Sequence, residues 1–164
     1  MSRFIGPAVL FCWTLPLVGW QQPAEKPNFS GSWQLDLAKS NTASKEALVW
    51  KINHKMGDIA IEEVSGSKTL SSAKCSIAKP CEFDDNGKKN SAMTYFLDTT
   101  LVQIRSASDN SSVVKRQLTM DEHGAMRVEL ITIVPSDKTE VLVFTRQTPA
   151  AAVAKPALSN AAKQ

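Results

Sequence analysis

The 164-residue chain carries 19 Lys plus Arg against 16 Asp plus Glu, is 43% hydrophobic and has three cysteines. Arg3, Lys155 and Lys163 lie in terminal segments without acids, so removing these three from the 19 leaves 16 charges of each sign at the centre. That neutral balance speaks against a nucleic-acid partner, which needs clustered excess Lys and Arg, while a folded part of about 120 residues buries roughly two thirds of its unfolded surface, enough for one core.

Residues 1–24 read as a signal peptide. Arg3 precedes an uncharged, mostly apolar run from Phe4 to Trp20, the layout of a secretory leader. Cleavage falls between 19 and 25, with no good small-x-small site to fix it. An uncleaved anchor is the alternative, but Pro7 and Pro16 in a run near the minimum spanning length make a poor membrane helix. Phe11 ahead of Cys12 is too bulky for a lipid-attachment site. The expectation is therefore an exported protein, periplasmic or extracellular, with no stable membrane insertion after processing.

Beyond the linker at 21–27, apolar alternation marks strands near 32–37, 47–54, 58–64, 69–77, 91–97, 100–106, 112–120, 126–134 and 139–147. In the clearest, Met126, Val128 and Leu130 share one face while Arg127 and Glu129 share the other. Ile131 to Val134 is β-branched throughout, which suits a pleated surface and disfavours a helix. Turn formers such as Lys55-Met56-Gly57-Asp58, Asp84-Asp85-Asn86-Gly87 and Pro135-Ser136-Asp137-Lys138 separate the runs. These links are too short for the crossovers that parallel strands need, so an antiparallel meander follows. Eight or nine such strands must hide their edges. The fold class expected for 28–148 is thus all-β, an antiparallel up-and-down barrel, with a β-sandwich as the alternative. Residues 149–164 form an Ala-rich tail with two prolines and two lysines, expected to be disordered, or else a marginal helix.

The stretch Pro27-Asn28-Phe29-Ser30-Gly31-Ser32-Trp33-Gln34-Leu35-Asp36-Leu37-Ala38-Lys39-Ser40-Asn41 resembles the opening of secreted bacterial lipocalin-like proteins, most of which have no assigned activity. It includes the Gly-x-Trp element, Gly31-Ser32-Trp33, of lipocalins and related calycin barrels. Asp85-Asn86-Gly87-Lys88 and the final Val143-Phe144-Thr145-Arg146 are also similar to that group. The resemblance implies a calycin barrel whose end is closed by Gly31, Trp33 and Arg146, the guanidinium lying across the indole. It also implies a small, mostly apolar ligand held in the mouth or interior. Only about a dozen residues separate Leu37 from Trp50, so the helical lid of intracellular fatty-acid carriers is absent from this expectation.

Cys75 and Cys81 remain once Cys12 leaves with the leader, and an even count in an oxidising compartment reads as a disulfide. The spacing is not C-x-x-C, which argues against a redox pair. Two cysteines with only His54 and His123 nearby in composition match no metal-ligand spacing, so no metal or cofactor is expected. Trp50 and His54 share a strand face and are the candidate ligand-contacting residues. Asp84-Asp85-Asn86-Gly87 begins like a calcium loop, but Tyr95 stands where a Glu is required. Glu62 and Glu63 are consecutive and so point to opposite faces, which excludes a shared-proton carboxylate pair. No catalytic constellation emerges. The expected function is a binding module for a small lipophilic ligand; the alternative is a structural or protein-interaction domain with a filled core, its protein partner unknown.

Overall fold

A computed structural model describes residues 25–148; the expected leader and tail lie outside the described residues. Ten strands run in chain order: β1 Gly31–Leu35, β2 Leu48–Lys55, β3 Asp58–Ser65, β4 Lys68–Ser76, β5 Pro80–Asp85, β6 Lys88–Leu97, β7 Thr100–Ser106, β8 Val113–Met120, β9 Met126–Val134 and β10 Lys138–Arg146. Each pairs antiparallel with its sequence neighbours, and β10 pairs with β1 to close the barrel. Closure rules out the sandwich. No helix occurs among the described residues.

The count is ten where eight or nine were expected, and β5 is the strand that alternation did not mark. It starts at Pro80, which lacks an amide donor and is tolerated at the first position of a strand. It then runs directly into the Asp85-Asn86-Gly87 turn, where Asn86 and Gly87 both have positive φ. Three register pairs bind it to β4, and six bind it to β6.

Alternation sorts the barrel wall. Trp33, Trp50, Ile59, Leu101, Leu118, Met126 and Phe144 point inward and are almost wholly buried, each large apolar side chain contributing about 1.5–3 kcal/mol on burial. Phe29, just ahead of β1, plugs the same end, and its carbonyl accepts a 2.9 Å hydrogen bond from Trp33 Nε1. Across the β1–β10 seam Trp33 pairs with Arg146, whose guanidinium carbon lies 4.7 Å from the indole centroid. Gly31 permits that approach. Its φ is +146°, and an added Cβ would stand 3.4 Å from Arg146 Nε and 3.5 Å from Trp33 Nε1. This is the closed end of the barrel.

At the opposite end the β1–β2 connection is a loop held down by the wall beneath it. Asn41 forms an isolated bridge with Val141, and Ser40 Oγ accepts from the Val143 amide at 2.9 Å. No helix among the described residues caps this end, and a cavity lined by Asp85, Arg105 and Arg116 opens to the surface there; it is the open end.

Candidate functional site

Among the inward positions near the open end, three carry charges that pair with one another. On β3, Ile59, Ile61 and Glu63 share the inner face; on β7, Leu101, Gln103 and Arg105 do; on β8, Arg116 sits two residues before the buried Leu118. The register of β3 slips by a bulge between Glu63 and Val64, a device that re-aims side chains where a ladder is interrupted. Glu63, Arg105 and Arg116 meet inside the barrel.

Arg116 grips Glu63 as a fork, with Nη1 donating to Oε1 at 2.6 Å and Nη2 to Oε2 at 3.2 Å. Arg105 Nη1 donates to the same Oε1 at 2.7 Å, while its Nη2 donates to Ser71 Oγ. Both cations also lie over aromatic faces: Arg105 is 3.7 Å from the Phe83 centroid and Arg116 is 5.0 Å from that of Trp50. Burial pushes the Glu63 carboxyl up, but the charges and hydrogen bonds of Arg116 and Arg105 outweigh it and hold the group down at about 2. Burial and the neighbouring Arg116 cation lower Arg105 to about 10, opposed by Glu63, so it remains a cation at neutral pH.

The cluster holds two positive charges against one negative. It also leaves donors unused: Arg105 Nε and Arg116 Nε are buried without a hydrogen-bond partner. Each costs about 1–3 kcal/mol as an unsatisfied buried polar atom, and neither is reached by solvent. Both arginines line a cavity of about 110 Å³, together with Phe83, Asp85, Asn90 and Val114. The space is smaller than the roughly 300–1,000 Å³ of drug-sized ligand sites. It can hold a few ordered waters or a compact molecule.

The residues singled out from the sequence fall at two depths. Trp50 is buried beneath Arg116 and forms the floor of the charged cluster. His54 lies at the closed end, its ring 5.7 Å from Phe96 and 6.5 Å from Phe29, and burial lowers its pKa. Its backbone amide donates to Ser30 Oγ at 2.9 Å, and that hydroxyl donates to the His54 carbonyl at 3.0 Å. It is therefore remote from the cavity. Cys75 and Cys81 form a disulfide that clasps the turn between β4 and β5. Glu62 points outward, as its parity with Glu63 requires, and pairs with Lys51 at 3.3 Å. Among the described residues no group of three His, Cys, Asp or Glu side chains could hold a metal ion.

Sequence reasoning missed Glu63, Arg105 and Arg116, although a signal was available. Each falls on the inward parity of a strand whose other inward members are apolar, save Gln103 on β7. A charge at such a position must find a partner across the barrel, and three charges on one interior imply a cluster.

No protein-family model matches the chain, and no curated protein does. Solved structures with the same fold are found. A secretory abundant heat soluble protein from Ramazzottius varieornatus superposes with a TM-score of 0.62 at 7% identity, covering 73% of this chain and 95% of that one. Lipid binding protein 8 of Caenorhabditis elegans gives 0.61 at 11% identity, over 73% and 95% of the two chains. Fatty-acid-binding protein 1 of Echinococcus granulosus gives 0.60 at 9% identity, over 73% and 98%. At such identities the likeness concerns architecture alone: a closed antiparallel barrel.

Proposed function

We propose that the chain is an exported binding barrel that takes a small, partly apolar ligand through its open end, with a hydrogen-bond-accepting group turned towards Arg105 and Arg116. One observation carries this reading: two buried arginines that share a single carboxylate, and so hold an excess of positive charge, border a cavity. A core built only for stability gains nothing from such charges, and apolar side chains of similar volume would serve it as well or better. Phe83 and Val114 supply apolar walls. The fold is shared with proteins named for binding fatty acids and lipids, which supports a carrier or sensor over an enzyme, and the reading includes no catalytic step. Export is supported by the disulfide, which persists in oxidising compartments, and by the apolar run after Arg3.

The test is native mass spectrometry of freshly purified protein, followed by displacement of an environment-sensitive fluorescent probe with small lipophilic molecules. Saturable displacement that Arg116→Met abolishes supports binding at the interior cluster. A barrel that binds no probe and carries no adduct is instead a structural or interaction domain. That second reading is favoured by the aromatic filling of the interior, where Trp33, Trp50, Phe29 and Phe144 leave their side chains almost wholly buried. N-terminal sequencing checks export: the mature chain should begin between Trp20 and Lys26, and an intact Met1 in cytoplasmic material would reject it.

A further inference from the structure

The charge pattern around the cavity is more specific than a single anion site. At the inner side, two arginines share one glutamate, which leaves one positive charge in excess. At the outer side stands Asp85, on the inward parity of β5 with Phe83 and at the last position of the strand. Its Oδ1 accepts from Asn86 Nδ2 at 3.1 Å, and no cation forms a salt bridge with it among the described residues. Its field reaches Arg105. Positive charge in excess within, and a carboxylate at the exit, therefore face one small volume.

A simple alkanoate fits this pattern badly. Its carboxylate would answer the excess positive charge, but its chain would leave past the Asp85 carboxylate and the Asn90 amide, exchanging their hydration for hydrocarbon. Burying a polar group without a replacement hydrogen bond is costly. An amine alone meets the arginines with like charge. A molecule with separated charges satisfies both ends.

We propose that the cavity selects a short zwitterion, with its acidic group turned inward to Arg105 and Arg116 and its ammonium held outside at Asp85. This rests on the binding-barrel reading and names the ligand class for the same site. The cavity volume of about 110 Å³ agrees with a compact molecule. Phe83, with Arg105 stacked on one side of its ring, is the apolar wall for the methylenes between the two charges.

The ω-amino acids from β-alanine to 6-aminohexanoate are a ruler for the distance between the charges. Calorimetric titration of the full chain with this series is compared with unbranched carboxylates and amines of the same lengths, and with laurate. One member of the amino-acid series should bind at least tenfold more tightly than its matched carboxylate. Asp85→Asn should remove that advantage, weakening the amino acid at least tenfold while the matched carboxylate binds no more weakly than before. This variant keeps the strand and touches no buried ion pair, so its folding is checked simply by an unchanged circular dichroism melt.

The outcomes separate the two readings. If carboxylates or laurate bind as tightly as every amino acid, or if Asp85→Asn leaves the ratio unchanged, the zwitterion assignment is overturned while the binding barrel stands. If no compound binds, charged or apolar, both are overturned and the filled-core reading takes their place.

Discussion

Two cross-strand neighbours, Trp33 and Trp50, each lie under an arginine, and the two pairs serve different purposes because water reaches only one of them. Arg146 lies over Trp33 at the closed end, exposed, with no carboxylate paired to it among the described residues. It covers the indole and leaves its charge in solvent, as a long cationic side chain readily does. Arg116 lies over Trp50 inside the wall, where its charge must be answered, and Glu63 answers it together with that of Arg105. An aromatic face alone is sufficient at a wet rim; a dry interior also demands a counter-ion, and the counter-ion is where a ligand can compete.

The largest expected effect comes from breaking the buried cluster. Glu63→Gln leaves two cations without a neutralising charge and should cost about 3–5 kcal/mol in urea unfolding. Replacing Glu63, Arg105 and Arg116 together by Leu or Met should leave stability equal to or above that of the parent, which would show that the cluster is not there for stability. A triple variant as unstable as Glu63→Gln would sink that claim.

The same cluster sets an acid limit. The folded Glu63 carboxyl is held at about 2, below its ordinary 4.5, so its contribution is complete above pH 4.5 and is lost as pH falls through 2. Between those limits the parent should lose stability more steeply than Glu63→Gln, as measured by denaturant midpoints across that range. Parallel slopes would contradict it.

Next in size is the clasp between β4 and β5. Replacing Cys75 and Cys81 by Ala should cost about 2 kcal/mol on the loop-entropy account, and the native protein should show no free thiol among these two under denaturing, non-reducing conditions. The closed end is comparable: Arg146→Ala should cost about 1–3 kcal/mol from the lost cation–π contact and stem packing. Arg146→Lys should recover only part, because an ammonium cannot stack as a planar guanidinium does. A double-mutant cycle with Trp33→Leu isolates the pair; zero coupling would mean that the contact does not hold the seam. The smallest effect belongs to Arg127, on the outer face and paired only with Glu129 at 2.9 Å, where Ala should change stability by less than about 0.5 kcal/mol.

The architecture was legible because period-two alternation survives in nine of the strands and the turn residues punctuate them. β5 escaped because its six residues include Pro80 and two aspartates at the turn, leaving Cys81 and Phe83 as its inward apolar positions. The candidate site was less legible for a different reason. Alternation tells which way Glu63, Arg105 and Arg116 point on their own strands, but not that strands three, seven and eight set them opposite one another, since that depends on barrel closure and on the bulge at Glu63. His54 shows the converse: its parity is inward, yet its height along the strand puts it at the wrong end.

The seam between the first and last strands also sets an order of events in folding. Ser32 Oγ donates to Gln147 Oε1 across 115 positions of sequence, whereas every other ladder joins neighbours in the chain. Pairings across short loops lose less entropy and form earlier, so the wall grows as a widening ribbon with two unprotected edges, and the molecule stays vulnerable to pairing with other copies until β10 reaches β1. Newly emerging chains therefore depend on the swift arrival of their last nine strand residues, Lys138–Arg146, and truncation within them should yield aggregates in place of a smaller barrel.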